Sequence, residues 1–132
     1  MRAMTIALIL SLSAGPLSAK PHLRDVPEVD GTLLVVSIAD EIRKNCEDIS
    51  ARMIKAYRVI RGVKAKAAAL GYTDEEIEAY RKSDTEKARL LAARDAYLER
   101  GGVTAGASDG YCRMGRVEIE KGSRIGALLR MN

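Results

Sequence analysis

From Val35 onward, apolar or small residues recur at Ala39, Ile42, Cys46, Ile49, Met53, Ala56, Ile60, Val63, Ala67 and Leu70, alternating steps of four and three. That spacing predicts one long helix with a heptad-like buried seam. Gly71 follows as a stop signal, and Thr73 with Glu76 three residues on forms a capping box, so a second helix opens at once. So tight a turn makes the two helices antiparallel neighbours, with Gly62 as a point where the first could kink. The second helix carries Ile77 and Tyr80 and breaks at Ser83, itself a new N-cap with Glu86 at its third position. A third, rich in Ala and Leu, runs to about Arg100 and stops at Gly101-Gly102. Residues 101–110 have the composition of a flexible loop. A last helix is expected from about Asp109, carrying Cys112, Val117 and Ile119, with Ile125, Leu128 and Leu129 in a closing turn.

Residues 20–31, with Pro21, Pro27 and Asp30-Gly31, read as an irregular lead-in. Gly122 and Gly126 have the spacing of a helix-dimer motif, but that logic belongs to helices in lipid. Here a helix break or a close approach to the long helix is expected instead. The predicted fold class is therefore all-α: a small helical bundle over residues 32–132, a single domain built on one long N-terminal helix.

The start of the chain has a different pattern. Arg2 is followed by the short apolar run Ile6 to Leu12, then Pro16 and Leu17-Ser18-Ala19. This is the plan of a secretory signal peptide over residues 1–19, too short to span a bilayer, with cleavage after Ala19. With no cysteine near the cut, no lipid anchor is expected, and the mature chain is read as free in the periplasm. Removing Arg2, the only charged residue of that segment, lowers the formal net charge from +4 to +3. The chain has five Tyr and neither Phe nor Trp, so the core must be aliphatic, which suits helices packed closely together.

Export gives the two cysteines a default. Cys46 lies on the seam of the first helix and Cys112 beside the glycine-rich loop, and in an oxidising compartment the expectation is a Cys46–Cys112 disulfide. A redox-active pair would call for Cys-X-X-Cys beside a strand–helix unit, which is absent. Bonded sulfurs are lost as metal ligands, and the one histidine, His22, follows Pro21, whose missing N–H spoils an amino-terminal copper or nickel site. No metal or other cofactor is predicted. Without a histidine in the folded body there is no Ser-His or Cys-His nucleophile pair, and no phosphate loop follows a strand. Asp74, Glu75, Glu76 and Glu78 sit in the first turns of a helix, where they complement its dipole. A small hydrolase using the helical carboxylates Glu76, Glu78 or Glu86 is the alternative reading, against a protein that is no enzyme and has no evident small-molecule substrate.

Charge is segregated. Between Ile49 and Thr73 the charged residues are Arg52, Lys55, Arg58, Arg61, Lys64 and Lys66, all basic, whereas 74–86 is mostly acidic. One reading pairs these halves across the hairpin. The other makes Arg52, Lys55, Arg58 and Arg61 a docking surface for an acidic protein partner or an anionic membrane surface. Nucleic acid is disfavoured by export and by the scarcity of stacking aromatics, Tyr57 alone standing among the basic residues. Oligomeric state is open.

Asn45-Cys46-Glu47-Asp48-Ile49, Leu70-Gly71-Tyr72-Thr73 and the stretch from Tyr111-Cys112 to Gly122-Ser123-Arg124-Ile125-Gly126-Ala127-Leu128-Leu129 together resemble a small family of exported alphaproteobacterial proteins of unknown function. Some of its members are encoded among the genes of respiratory complex I, the NADH:quinone oxidoreductase. The resemblance covers most of the mature chain and implies an accessory or assembly role on the outer face of the inner membrane. It does not imply NADH oxidation, since two cysteines cannot supply a four-thiolate cluster.

Overall fold

In the computed structural model, which describes residues 19–132, the chain forms α1 (Pro27–Asn45), β1 (Ile49–Ala51), α2 (Met53–Ala69), α3 (Asp74–Lys82), α4 (Asp84–Arg100), α5 (Ser108–Lys121) and β2 (Leu129–Met131). Short 3-10 turns precede α1 and β2, at Leu23–Asp25 and Gly126–Leu128. The signal segment predicted for residues 1–19 lies, apart from Ala19, outside the described residues. The fold is helical with one disulfide, as the pattern predicted.

The predicted long helix is two helices. Continuous spacing from Val35 to Leu70 hides a break after Asn45, where Cys46 turns extended (φ −138°, ψ 110°) and the Asn45 side chain bonds back to the Glu41 carbonyl at 2.9 Å. What breaks it is remote in sequence. Ile49–Ala51 pairs antiparallel with Leu129–Met131, setting Ile49 opposite Met131 and Ala51 opposite Leu129. Backbone bonds from Arg52 to Leu128 (2.8 Å) and from Asn132 to Asp48 (2.9 Å) extend the ribbon at both ends. The lead-in is also shorter than expected, because Pro27 starts α1 from its first turn, where its missing N–H costs nothing.

The other boundaries fall where capping chemistry puts them. Gly71, at φ +95°, lets Tyr72 N–H reach the Ala67 carbonyl (3.2 Å) and Gly71 N–H reach Ala68 (3.0 Å), closing α2. Thr73 and Glu76 then bond reciprocally as the capping box of α3, and the Ser83 hydroxyl accepts from Glu86 N–H to open α4. Gly122 ends α5 in a left-handed conformation, as a helix break was expected to.

The main core surrounds α1. Ile38, Ile42 and Cys46 pack with Ile49, Leu98, Tyr111, Met114 and Leu129, all buried. Cys46 and Cys112 are bonded, joining the end of α1 to the first turns of α5 with their Cα atoms 5.1 Å apart. A second cluster, centred on Leu23, Val26, Val29 and Ala67, lies between the start of α1, the end of α2 and α3. Lys20 is tied onto that end, its ammonium reaching Glu76 (2.8 Å) and lying over the Tyr72 ring. No helix among the described residues is long and apolar enough to cross a membrane.

Candidate functional site

The chain break at 46–52 re-aims α2. Ala67 is its one fully buried residue, with Ala56, Val59 and Val63 half-buried against the core. Met53 and Ile60, which the seam assigned to the interior, are instead exposed, Met53 at 66 %. Beside Met53 stand Ile54 at 72 % and Tyr57 at 64 %. The outer side of α2 is thus made of Met, Ile, Tyr, Ala, Gly, Lys and Arg, and the whole helix contains no Asp, Glu, Asn, Gln, Ser or Thr.

The predicted basic residues divide. Arg52 donates Nε to the Leu129 carbonyl at 3.0 Å, which fastens β2 to the head of α2, while the residue stays exposed and without an ion-pair partner among the described residues. Lys55, Arg58 and Arg61 are exposed and make no ion pair among the described residues, Arg61 lying 5.8 Å from the Tyr57 ring. Lys64 reaches Asp74 (3.3 Å) and Lys66 reaches Glu28 (3.5 Å). Pairing across the hairpin therefore accounts for Lys64, not for the others. Lys55 even sits in the first turn, where the helix dipole disfavours a cation and where α2 has no acidic residue at all.

Next to this face, α2 and α4 leave an open cleft of about 270 Å³ floored by α1 and closed at one end by α3. Its walls are aliphatic: Leu33, Ile60, Val63, Ile77 and Leu90. At its base the Arg89 guanidinium binds Asp30, Glu86 (3.0 Å) and the Tyr80 hydroxyl (3.4 Å), and Glu86 also accepts from Arg24.

Glu78 and Glu86, two carboxylates offered for catalysis, do line this cleft. Both are held in the charged form. Hydrogen bonds from Arg81, the strongest influence, and from Lys82 draw Glu78 down to about 2. Burial pushes Glu86 up, but hydrogen bonds from Arg89 and Arg24 outweigh it and leave the carboxyl below its ordinary 4.5. A general acid needs the opposite shift. Glu76 is spent on the capping box and on Lys20.

The sign of the Glu86 shift makes a prediction. A carboxyl depressed in the fold contributes stability in full above its unfolded pKa and loses it as pH falls through the folded value. Acid titration below about pH 4.5 should weaken the fold through this group. Glu86→Gln should cost about 1–2 kcal/mol at pH 7, since its arginine partners are partly exposed, and should flatten the acid limb; urea melts at pH 7 and pH 3.5 check both.

Near the disulfide, Asp48 lies within 4.8 Å of both sulfurs. Bonded sulfurs offer no thiolate, so that trio leaves one carboxylate as a ligand.

A model of a family of unknown function, DUF5333, matches residues 21–130. The chain belongs to this family. No curated protein and no solved structure matches it. In this DUF5333 chain the matched span contains α2, the cleft and both cysteines. Sequence reasoning missed the apolar half of the face and the whole cleft. A signal for the first was present: Ile54 and Tyr57 lie off the seam, on a helix without acidic partners.

Proposed function

We propose that this is a non-enzymatic periplasmic protein that works by binding, laying the outer face of α2 on an anionic membrane surface. One observation carries the reading: Met53, Ile54 and Tyr57 project into solvent among Lys55, Arg58 and Arg61, which have no ion-pair partners among the described residues. A bilayer interface matches that mixture. Apolar side chains enter the headgroup boundary while long cationic ones reach phosphates, each basic residue contributing about 1 kcal/mol at an anionic surface. The cation in the first turn of α2 works against helix stability, and such local inconsistency marks functional rather than structural selection. The alternative, a hydrolase working through Glu78 or Glu86, is disfavoured by the arginines that keep both ionised. The resemblance to exported proteins encoded with respiratory complex I points to an accessory role at the same membrane.

Mature protein should sediment with phosphatidylglycerol vesicles and not with phosphatidylcholine vesicles, and less well as salt rises. Lys55→Glu, Arg58→Glu and Arg61→Glu together should weaken it roughly 100-fold. Equal binding to both lipids, or retention by the triple variant, would sink the reading. So would capture on an acidic protein with no affinity for vesicles. For the accessory role, a tagged copy purified from native membranes should bring complex I subunits with it.

A further inference from the structure

The cleft between α2 and α4 is a separate feature from the docking face: none of Met53, Ile54, Lys55, Tyr57, Arg58 and Arg61 lines it. We propose that it holds the acyl chain of a single-chain anionic amphiphile, a fatty acid or a lysophospholipid, with the head group at Lys87 and Lys64. At about 270 Å³ it is close to the lower end of ligand pockets and well above the apolar cavity of roughly 150 Å³ that accepts benzene.

The lining selects the chain. Leu33, Val63, Ile77 and Leu90 offer only aliphatic carbon, and the charges at the base are committed to one another through Arg89, Asp30, Glu86 and Arg24. A buried polar ligand would find no free partner there, whereas a hydrocarbon chain loses nothing. The mouth selects the head. Glu78 is engaged by Arg81 and Lys82, and Asp74 by Lys64 across an exposed 3.3 Å pair that an incoming anion can exchange at little cost. Lys87 has no ion-pair partner among the described residues, so the charge left uncompensated at the mouth is positive. Such a ligand enters the cleft from free solution, with no bilayer required.

The probes are laurate and lauroyl lysophosphatidylglycerol, each below its micelle concentration, titrated into mature protein with labelled Ile, Leu and Val methyl groups. Saturable binding of one molecule per chain is expected, with the largest shifts at Leu33, Val63, Ile77 and Leu90. A cationic amphiphile of the same chain length, dodecyltrimethylammonium, should bind at least tenfold more weakly, and Lys87→Glu should weaken laurate about fivefold. Tighter binding of the lysophospholipid than of laurate assigns the head group to lipid phosphate; equal binding assigns recognition to the chain with any anion.

Val63→Trp, which fills the cleft, should abolish the shifts, with Leu90→Phe as a second variant should the first not fold. The triple reversal at Lys55, Arg58 and Arg61 should leave laurate binding intact, which separates this site from the docking face. Non-saturable binding, shifts centred on Ile54 with the cleft methyls silent, or full laurate affinity in a folded cleft-filled variant overturns the proposal.

Discussion

Replacing both Cys46 and Cys112 with Ala should cost about 4 kcal/mol. The bond joins residues 66 apart and encloses β1, α2, α3 and α4 within one loop. On the chain-entropy account, cutting it returns to the unfolded ensemble the freedom that a loop of this length removes, roughly 4 kcal/mol. Small domains have only about 5–15 kcal/mol in total, so the variant should sit near the edge of folding at 37 °C. Cys46 is buried in the main core, so its truncation to Ala adds a small packing loss. Urea melts of oxidised protein, reduced protein and the double variant check the figure. A midpoint shift worth less than about 1 kcal/mol would show that the bundle stands without the bond. Alkylation of denatured protein taken from cells should find neither thiol free.

That bond was legible because the chain has two cysteines behind a segment patterned as an export signal, whereas the element it replaced as organiser was not. Period-seven spacing through Cys46, Ile49 and Met53 is satisfied equally by one helix or by two helices flanking a strand, since each arrangement buries Cys46 and Ile49. What decides is the pairing of Ile49–Ala51 with Leu129–Met131, about eighty residues away, and no local pattern announces it. Boundaries set by neighbours were legible. Thr73 with Glu76, and Ser83 with Glu86, act over three residues and fall where the sequence put them. The same distinction runs through the candidate site. The unbroken run of basic charge is a one-dimensional feature, visible at once, but the cleft is built from side chains of four helices and exists only when they meet. The bond from Arg52 to the Leu129 carbonyl is of the same kind, since it joins a side chain to backbone 77 residues away.

Gly126→Ala should destabilise by about 3 kcal/mol, roughly 10–20 °C in Tm, for the addition of one methyl group. Gly126 is buried where the chain doubles back after Gly122, and a Cβ there would run into the Glu118 carbonyl group and stand 2.6 Å from the Ile119 amide nitrogen. Both obstacles are backbone of α5, so no rotamer change relieves the clash and the turn itself must move. The turn is fastened tightly. Gly126 N–H donates to the Ser123 hydroxyl at 3.0 Å, Ser123 N–H donates to the Glu118 carbonyl at 3.2 Å, and the buried Glu118 carboxylate takes bonds from Ser123 and from the Tyr97 hydroxyl. Shifting it also displaces Leu129, which is fully buried, and with it the β ribbon that splits α1 from α2. Gly62 supplies the contrast within one protein. A Cβ at that α2 position meets nothing within 4 Å, so Gly62→Ala should stabilise by about 0.5–1 kcal/mol through helix propensity alone. Opposite signs for the two Gly→Ala changes in parallel thermal melts would show that close approach, not glycine flexibility, is what the C-terminal turn requires. A Gly126→Ala melt within about 1 kcal/mol of the parent would mean that the turn has room to spare, and that the ribbon does not depend on it.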